Sequence, residues 1–460
     1  MIEPPPRPTL SSVTTINEDG SRRFIHPSTA SGRFSRWRTL FATALTALYV
    51  ALPWVRINGN PALFLDLAHR QFHYFGLTFV GQDVWVGFFV LSGIGFCLFY
   101  VTALLGRVWC GWACPQTVFL DFARRIERWC EGDASARRKL DLAPWTPGKT
   151  VRRAVKHTLY LLFALLLAHV LLSYFVSLPR LYAMMSQAPG KNWGAFAFVF
   201  LIASALWFDL AWFREQFCIV LCPYGRLQSA LIDGDSLVVG YDKTRGEPRG
   251  RKGTAGAGDC VNCLRCVQVC PTGIDIRQGL QMECIGCAAC IDACDTVMAK
   301  LDRKPGLIRY DSRLGFDGKR TRWVRPRTLL YTGLAVLGAI ALTIETSSLK
   351  SATVSLTRVT GIPYIVEGGV VRNQFLVRVL NKRNATITFK LEIADGPPSL
   401  HATGMEEGFA VAPLGEEIRT VVLTLPRADL KRELPLRFRV LSSDGTVIEK
   451  AGTFLGPIIP

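Results

Sequence analysis

Long apolar stretches dominate the first three quarters of the chain, at about 38–57, 83–105, 156–178, 194–213 and 328–346. Each approaches the roughly 20 residues a helix needs to cross a bilayer, which predicts a five-helix transmembrane bundle. From about Ser351 the period changes to two. Apolar and polar residues alternate in short runs at 374–380, 386–393, 419–425 and 436–440, with turn signals between them that include Asp444-Gly445. That pattern predicts an antiparallel, immunoglobulin-like β-sandwich over 351–460. No cysteine lies beyond residue 294, so packing alone must hold this all-β region together.

Composition adds a sidedness. The 460 residues carry a formal charge of +18, which in a soluble chain would raise the question of nucleic acid. Here the cations cluster beside apolar stretches. The loop 107–155 holds Arg124, Arg125, Arg128, Arg137, Arg138, Lys139, Arg152 and Arg153, whereas 58–82 holds only Arg70, and 179–193 only Arg180 and Lys191. By the positive-inside rule the loop 107–155 and the segment 214–327 are cytoplasmic, and an odd number of spans puts 351–460 in the periplasm. The expectation is a multi-pass protein of the bacterial inner membrane that binds no nucleic acid. Residues 1–37, rich in Pro, Ser, Thr and Arg, read as a flexible cytoplasmic tail. Arg22-Arg23 is not read as an export signal, because the apolar stretch that follows is long enough to span and has no small-residue cleavage pattern.

The segment 214–327 carries the chemistry. Eight of the fourteen cysteines fall within 35 residues. The first run, CVNCLRCVQVCP, places Cys260, Cys263, Cys266 and Cys270 before Pro271; the second, CIGCAACIDACD, repeats the spacing at Cys284, Cys287, Cys290 and Cys294. At this spacing three thiolates wrap one cubane and the fourth crosses to the other. We therefore expect a bacterial-type 2[4Fe-4S] ferredoxin domain at about 250–305, inserted between the fourth and fifth spans. Cys260, Cys263, Cys266 and Cys294 would hold one cluster, and Cys284, Cys287, Cys290 and Cys270 the other. Zinc also uses closely spaced cysteines, but it takes four ligands in paired knuckles, which a duplicated three-plus-one run does not supply. Metal-ligand spacing also argues for a reducing compartment rather than a disulfide framework. Asp295 stands where the second run would usually have proline, and an ionised carboxylate there should lower the potential of the second cluster.

Two further cysteine pairs lie at membrane edges. WCGWACPQ carries Cys110 and Cys114 before Pro115, and FCIVLCPYGR carries Cys218 and Cys222 before Pro223. Spacing of i, i+4 puts both sulfurs of a pair on one helical face. Each pair leads into an amphipathic stretch, 117–129 and 227–232, so hairpin, cysteine pair and interfacial helix look like an internal repeat. Four soft thiols brought together favour Cu(I), which makes Cys110, Cys114, Cys218 and Cys222 a candidate copper site. A single cysteine in a membrane helix is ordinarily a small buried hydrophobe, and Cys97 and Cys130, without partners at useful spacing, are read that way. His169 and Asp209, ionisable residues within spans, are further candidates by their position. Only His157 shares a helix with His169, so a bis-histidine haem is not expected.

Taken together these features resemble the FixG/CcoG family of cytochrome c oxidase accessory proteins. The resemblance runs from about Arg33 to the end, through PWVRINGNPALFLDL and FHYFGLTFVGQD, both CxxxCP pairs, the two-cluster run and RNQFLVRVLNK. It implies a role in assembling a cbb-type oxidase, by reducing Cu(II) to Cu(I) in the cytoplasm for a copper-exporting ATPase, alongside other oxidase maturation factors. A cupric reductase is an oxidoreductase, although no residue can be assigned as catalytic. The chain has no nucleotide-binding fingerprint, so the electron donor is expected to be a separate protein or a quinol. Quinol-oxidising membrane subunits share the CxxxCP pairs and two clusters, which keeps a quinol dehydrogenase-type subunit as an alternative. A non-enzymatic assembly scaffold docking through its C-terminal β-domain is another.

Overall fold

The computed structural model describes residues 15, 23–68, 70–80, 84–347, 350–359, 361–405, 407–430 and 433–457. The chain forms two compact units, Met1–Val55 with Gly87–Leu342, and Arg56–Val86 with Thr343–Pro460.

The helices used below are α1 (Arg33–Ala51), α2 (Val84–Leu105), α3 (Val108–Trp112), α4 (Pro115–Glu131), α5 (Pro147–Ser173), α6 (Trp193–Phe208), α7 (Pro223–Leu231), α8 (Arg265–Gln268), α9 (Ala289–Lys300) and α10 (Pro326–Ser347), and the first unit also holds an antiparallel strand pair, β6 (Leu237–Tyr241) and β7 (Ile308–Ser312). Among the described residues four helical segments are long and apolar enough to cross a membrane, Trp85–Leu105, Pro147–Ser173, Pro189–Phe213 and Pro326–Ser347. The first predicted span forms α1, which begins at Arg33 and stops at Ala51. Arg33, Arg36 and Arg38 in its opening turns dilute its apolar character, and it is not among the four. α5 and α6 pack through Ala168, Leu172, Val199 and Ala203, the two alanines letting the backbones approach closely.

The start of α1 is fixed by the cysteine-rich segment. The amides of Phe34 and Ser35 donate to the Asp292 carboxylate at 3.1 and 2.6 Å, satisfying orphan donors at the helix N-terminus with a negative charge. Gly32 permits this contact, since a Cβ there would collide with the Asp292 side chain. Upstream, the Ser28 amide donates to Gln268 O at 2.8 Å, and His26 Nε2 lies 2.5 Å from Asp141 Oδ2. The part of the expected tail from residue 26 is therefore docked; residues 1–14 and 16–22 lie outside the described residues.

The second unit joins two pieces of chain. Where the sequence reading had only a loop, five short strands form: β1 (Arg56–Ile57), β2 (Asn60–Pro61), β3 (Leu63–Asp66), β4 (Gln71–Tyr74) and β5 (Leu77–Val80), the last three an antiparallel sheet. Gln71 Nε2 donates to Leu414 O at 3.1 Å, and Asn60 Nδ2 to Asn384 Oδ1 at 3.4 Å, tying this piece to the C-terminal β-region. That region has eleven residues or more in its long strands β10 (Val370–Asn381) and β14 (Glu416–Pro426), which pair antiparallel with each other. With β8 (Ala352–Arg358), β9 (Ile365–Glu367) and β12 (His401–Thr403) they make one sheet. β11 (Ile387–Asp395), β13 (Phe409–Val411), β15 (Leu434–Ser442) and β16 (Val447–Phe454) make the other. Alternate residues of β10 point inward, and Val377, Val379, Val421 and Leu423 meet Phe389, Phe438 and Phe454 in one core.

Candidate iron-sulfur and thiol centre

The two cysteine runs share one backbone path. Asn262 and Gly286, each one residue before the second cysteine of its run, have φ of 54° and 68°. Leu264 and Ala288, each one residue after it, have φ of 58° and 60°. Left-handed residues at matched positions curl each loop on itself; α8 then carries Cys266, the third cysteine of the first run, and α9 carries Cys290 and Cys294, the third and fourth of the second. Leu264 and Ala288 hold a conformation that costs a side-chain-bearing residue energy, a kind of strain that persists where surrounding structure enforces it.

This folding sorts the thiols into two groups. Cys260, Cys263, Cys266 and Cys294 line one small cavity, with Leu307 and Met298 among its walls. Cys270, Cys284, Cys287 and Cys290 line a second, which Cys266 also borders. The grouping is the crossover expected from the spacing: the last cysteine of each run sits with the first three of the other. The remaining lining is mostly apolar, with no carboxylate or imidazole at either cavity. Burial pushes the thiols of Cys284 and Cys294 up to about 12 and that of Cys266 to about 11, and neighbouring thiols reinforce each shift. Loading a metal centre there must expel protons. All-thiol, apolar pockets at ferredoxin spacing fit iron-sulfur cubanes, whose ligands are thiolates. Asp295 follows Cys294, a thiol of the first cavity, so its charge acts there and not on the second group as expected from its place in the second run, and its Oδ1 accepts from the Gly306 amide at 2.8 Å.

The membrane-edge pairs also come together. α3 ends just after Cys110, Cys114 adopts an extended conformation as the cap before Pro115, and α4 begins. The second pair repeats this: Cys218 lies on a π-helical turn (Phe217–Leu221), Cys222 is extended, and Pro223 opens α7. Each pair thus straddles a helix break, which corrects the expectation that both sulfurs share one helical face. Charge on Cys110, Cys114 or Cys222 is felt at Cys218, whose thiol burial and these neighbours push well up. Burial raises Cys110 to about 11, opposed by a hydrogen bond from Gln228. Among the described residues, no three His, Cys, Asp or Glu side chains converge closely enough to hold a single metal ion, these four thiols included.

The thiol group abuts the second cavity. Cys110 packs with Cys290 against the buried cluster of Val269, Ile285, Cys287, Ala289 and Ala293. Gly111 allows α3 to press on the second run, for a Cβ there would lie 2.7 Å from Gly286 O. Arg107 spans both parts of the repeat, donating to Cys284 O at 3.2 Å and Gly225 O at 2.8 Å. Trp112 Nε1 donates to the Tyr310 hydroxyl at 3.1 Å, and that hydroxyl donates to Gly286 O at 2.5 Å. Sequence reading missed Arg107, Gly111 and Gln228; the glycine between Cys110 and Cys114 was the one available signal.

Asp209 opens a π-helical turn (Asp209–Phe213) at the end of α6 and accepts from Gln116 Nε2 at 2.7 Å, beside Pro115 of the first pair. His169 sits apart. Its Nδ1 donates to Leu165 O at 2.7 Å, one turn back on its own helix. Cys97 is exposed on α2 and Cys130 lies near the far end of α4, neither among the grouped thiols.

The chain is similar to known proteins over most of its length. A profile for a 4Fe-4S dicluster domain matches residues 213–313, one for a 4Fe-4S binding domain matches 86–133, and one described as the IG-like fold at the C-terminal of FixG matches 342–457. "Nitrogen fixation protein FixG" of Rhizobium meliloti is 35% identical over 426 residues, covering 82% of this chain and 80% of that protein. Protein RdxA of Cereibacter sphaeroides is 34% identical over 436 residues, covering 87% and 92%, and RdxB of the same organism 35% over 407 residues, covering 84% and 85%. A crystal structure of a FixG-related protein from Vibrio parahaemolyticus aligns with 23% of this chain and 97% of its own at 20% identity, with a TM-score of 0.22.

Proposed function

The chain belongs to the FixG family, and from that premise we propose that this iron-sulfur membrane protein is an oxidoreductase that reduces Cu(II) to Cu(I) in the cytoplasm during assembly of a cbb-type cytochrome c oxidase. One observation carries the proposal: eight thiols stand in two four-thiol pockets, and a second group of thiols packs on one of those pockets through Cys110. In this reading Cys260, Cys263, Cys266 and Cys294 hold one [4Fe-4S] cluster, and Cys284, Cys287, Cys290 and Cys270 the other. When bound, such clusters supply single electrons at low potential. Cys110, Cys114, Cys218 and Cys222 receive copper as substrate, their soft sulfurs favouring the reduced ion. Because the thiols do not yet converge on one point, copper arrival is expected to draw them together.

The same reading has α1 as a fifth crossing, which leaves the cysteine-rich segment cytoplasmic and the immunoglobulin-like domain periplasmic. The cation-rich loop 107–155 supports that orientation. The Cu(I) produced passes to a copper-exporting ATPase, with oxidase maturation factors as further partners.

Anaerobically purified protein, given a chemical donor and Cu(II), should form the coloured Cu(I)–bathocuproine complex faster than a Cys260→Ser, Cys284→Ser double variant. Equal rates would sink the proposal. Replacing Cys110, Cys114, Cys218 and Cys222 together by Ser should remove copper binding while both cluster signals persist in EPR spectra; retained copper counts against that part of the site.

A further inference from the structure

A cavity of about 800 Å³ lies within the first unit beside the membrane-edge cysteines. Its volume falls within the roughly 300–1,000 Å³ of small-molecule sites. Leu167 and Leu171 of α5 and Ile202 and Leu206 of α6, on two helices long and apolar enough to span a membrane, give it an apolar body. Polar groups are few. Asp209 and Gln116 stand together, hydrogen-bonded at 2.7 Å, where the wall passes from α6 to the start of α4. Pro115 on this wall follows Cys114 directly, while Phe217 and Leu221 on it precede Cys218 and Cys222. We propose that this cavity binds the ring of a lipid-soluble quinone or hydroquinone, with the polar edge of the ring at Asp209 and Gln116.

The argument is one of chemical match. A lipid acyl chain suits the apolar body and has no use for a carboxylate, which is costly at the edge of a span unless it serves a purpose. A water-soluble ligand suits the carboxylate and wastes the apolar body. A quinone-class ring has both characters: a flat apolar disc and tail, with oxygens at its edge that donate or accept. The Asp209 carboxylate accepts from the hydroxyl of a hydroquinone, and Gln116, whose Nε2 donates both to Asp209 at 2.7 Å and to Arg214 O at 3.1 Å, holds that carboxylate in place and offers its amide oxygen as a second acceptor. Aromatic walls from Phe119, Phe213 and Phe217 suit a flat ring. Asp209 also begins a π-helical turn, a local irregularity found often at functional sites. This site is independent of copper chemistry at the four thiols.

The test uses the full chain in phospholipid nanodiscs with a photoactivatable azidoquinone, short-tailed decylubiquinone as competitor, and no copper. Cross-links should map to residues 113–119 or 202–221 and be abolished by excess decylubiquinone. Ala205→Trp, which fills the cavity from α6, should abolish labelling with iron content and melting temperature unchanged. Asp209→Asn should weaken anaerobic competition by the reduced form, decylubiquinol, about tenfold, as expected for loss of one charge-assisted hydrogen bond from its hydroxyl. Labelling that survives Ala205→Trp, or competition by decylubiquinol indifferent to Asp209→Asn, means the cavity holds acyl chains or nothing specific, and overturns the proposal. Because only binding is read, this result is separate from the outcome of the Cu(II) assay.

Discussion

Gln228 Nε2 lies 3.1 Å from the sulfur of Cys110, donating from the interfacial helix of the second repeat to the first thiol of the other. Gln228 is fully buried, so its amide has no water to fall back on. Gln228→Ala removes a buried donor and leaves space beside a half-buried thiol. Loss of one such buried hydrogen bond costs about 1–3 kcal/mol, and the unfolding midpoint in detergent should drop accordingly. Cys110 should also become more open to maleimide alkylation in the unloaded protein. An unchanged midpoint together with unchanged alkylation would mean the two repeats are held together elsewhere.

Gly111 tests how the membrane-edge thiols are coupled to the second pocket. A Cβ at this position meets Gly286 O at 2.7 Å and Ile285 O at 2.8 Å, both backbone atoms that cannot swing aside. Gly111→Val should push α3 off the second run at a cost of about 1–3 kcal/mol, typical of overpacking. Since Gly286 sits between Cys284 and Cys287, iron bound per chain should fall, and the EPR signal of one cluster should weaken more than the other. Full iron content with two unaltered signals would show that the contact is not needed to hold that loop.

What could be read in the sequence was local or periodic. The crossover grouping of the eight cysteines follows from spacing within 35 residues, because ligand geometry is written into the loop itself. The sandwich was legible because β10 alternates over twelve residues, with Val371, Phe375, Val377 and Val379 all buried. Even there Asn373 and Asn381 break the code: both are buried, and Asn373 donates to Leu455 O at 2.7 Å, a use only the fold reveals. The strands between residues 56 and 80 escaped notice because runs of two to four residues are too short for alternation to register. Arg107 and Gln228 escaped for another reason: each acts on atoms more than a hundred residues away. α1 was read as a full span from its apolar half, and its arginine-bearing first turns show why composition averaged over a stretch misplaces an end.

The second unit has its own core, so damage there should leave iron binding alone. Phe438 is almost fully buried and packs on Phe375 of the facing sheet, ring centroids 5.2 Å apart. Phe438→Ala should cost about 3–5 kcal/mol, as large aromatic truncations do. Limited proteolysis should then cut within 351–457 at protease levels the parent resists, while iron content stays at the parent value. Parallel loss of iron would contradict the independence of the two units.

Glu127 carries a pH dependence whose sign is fixed. It is 3% exposed on α4, with Arg137 Nη1 at 2.6 Å and Arg214 Nη1 at 2.7 Å, both guanidinium groups also buried. Burial by itself would raise the carboxyl, but Arg214 and then Arg137 outweigh it and hold Glu127 at about 2, below its ordinary 4.5. A depressed native value means the ionised form stabilises the fold at neutral pH, and that contribution is lost as pH falls from 4.5 toward 2. Glu127→Gln leaves two buried guanidinium groups short of a counter-charge, at a cost of about 3–5 kcal/mol. The gap in melting temperature between parent and variant should be widest near pH 7, hold steady down to about pH 5, and narrow steadily below it. Acid loss of iron affects both proteins alike, so the difference isolates this carboxylate. A gap that stays constant down to pH 3 would mean Glu127 contributes by packing rather than by charge.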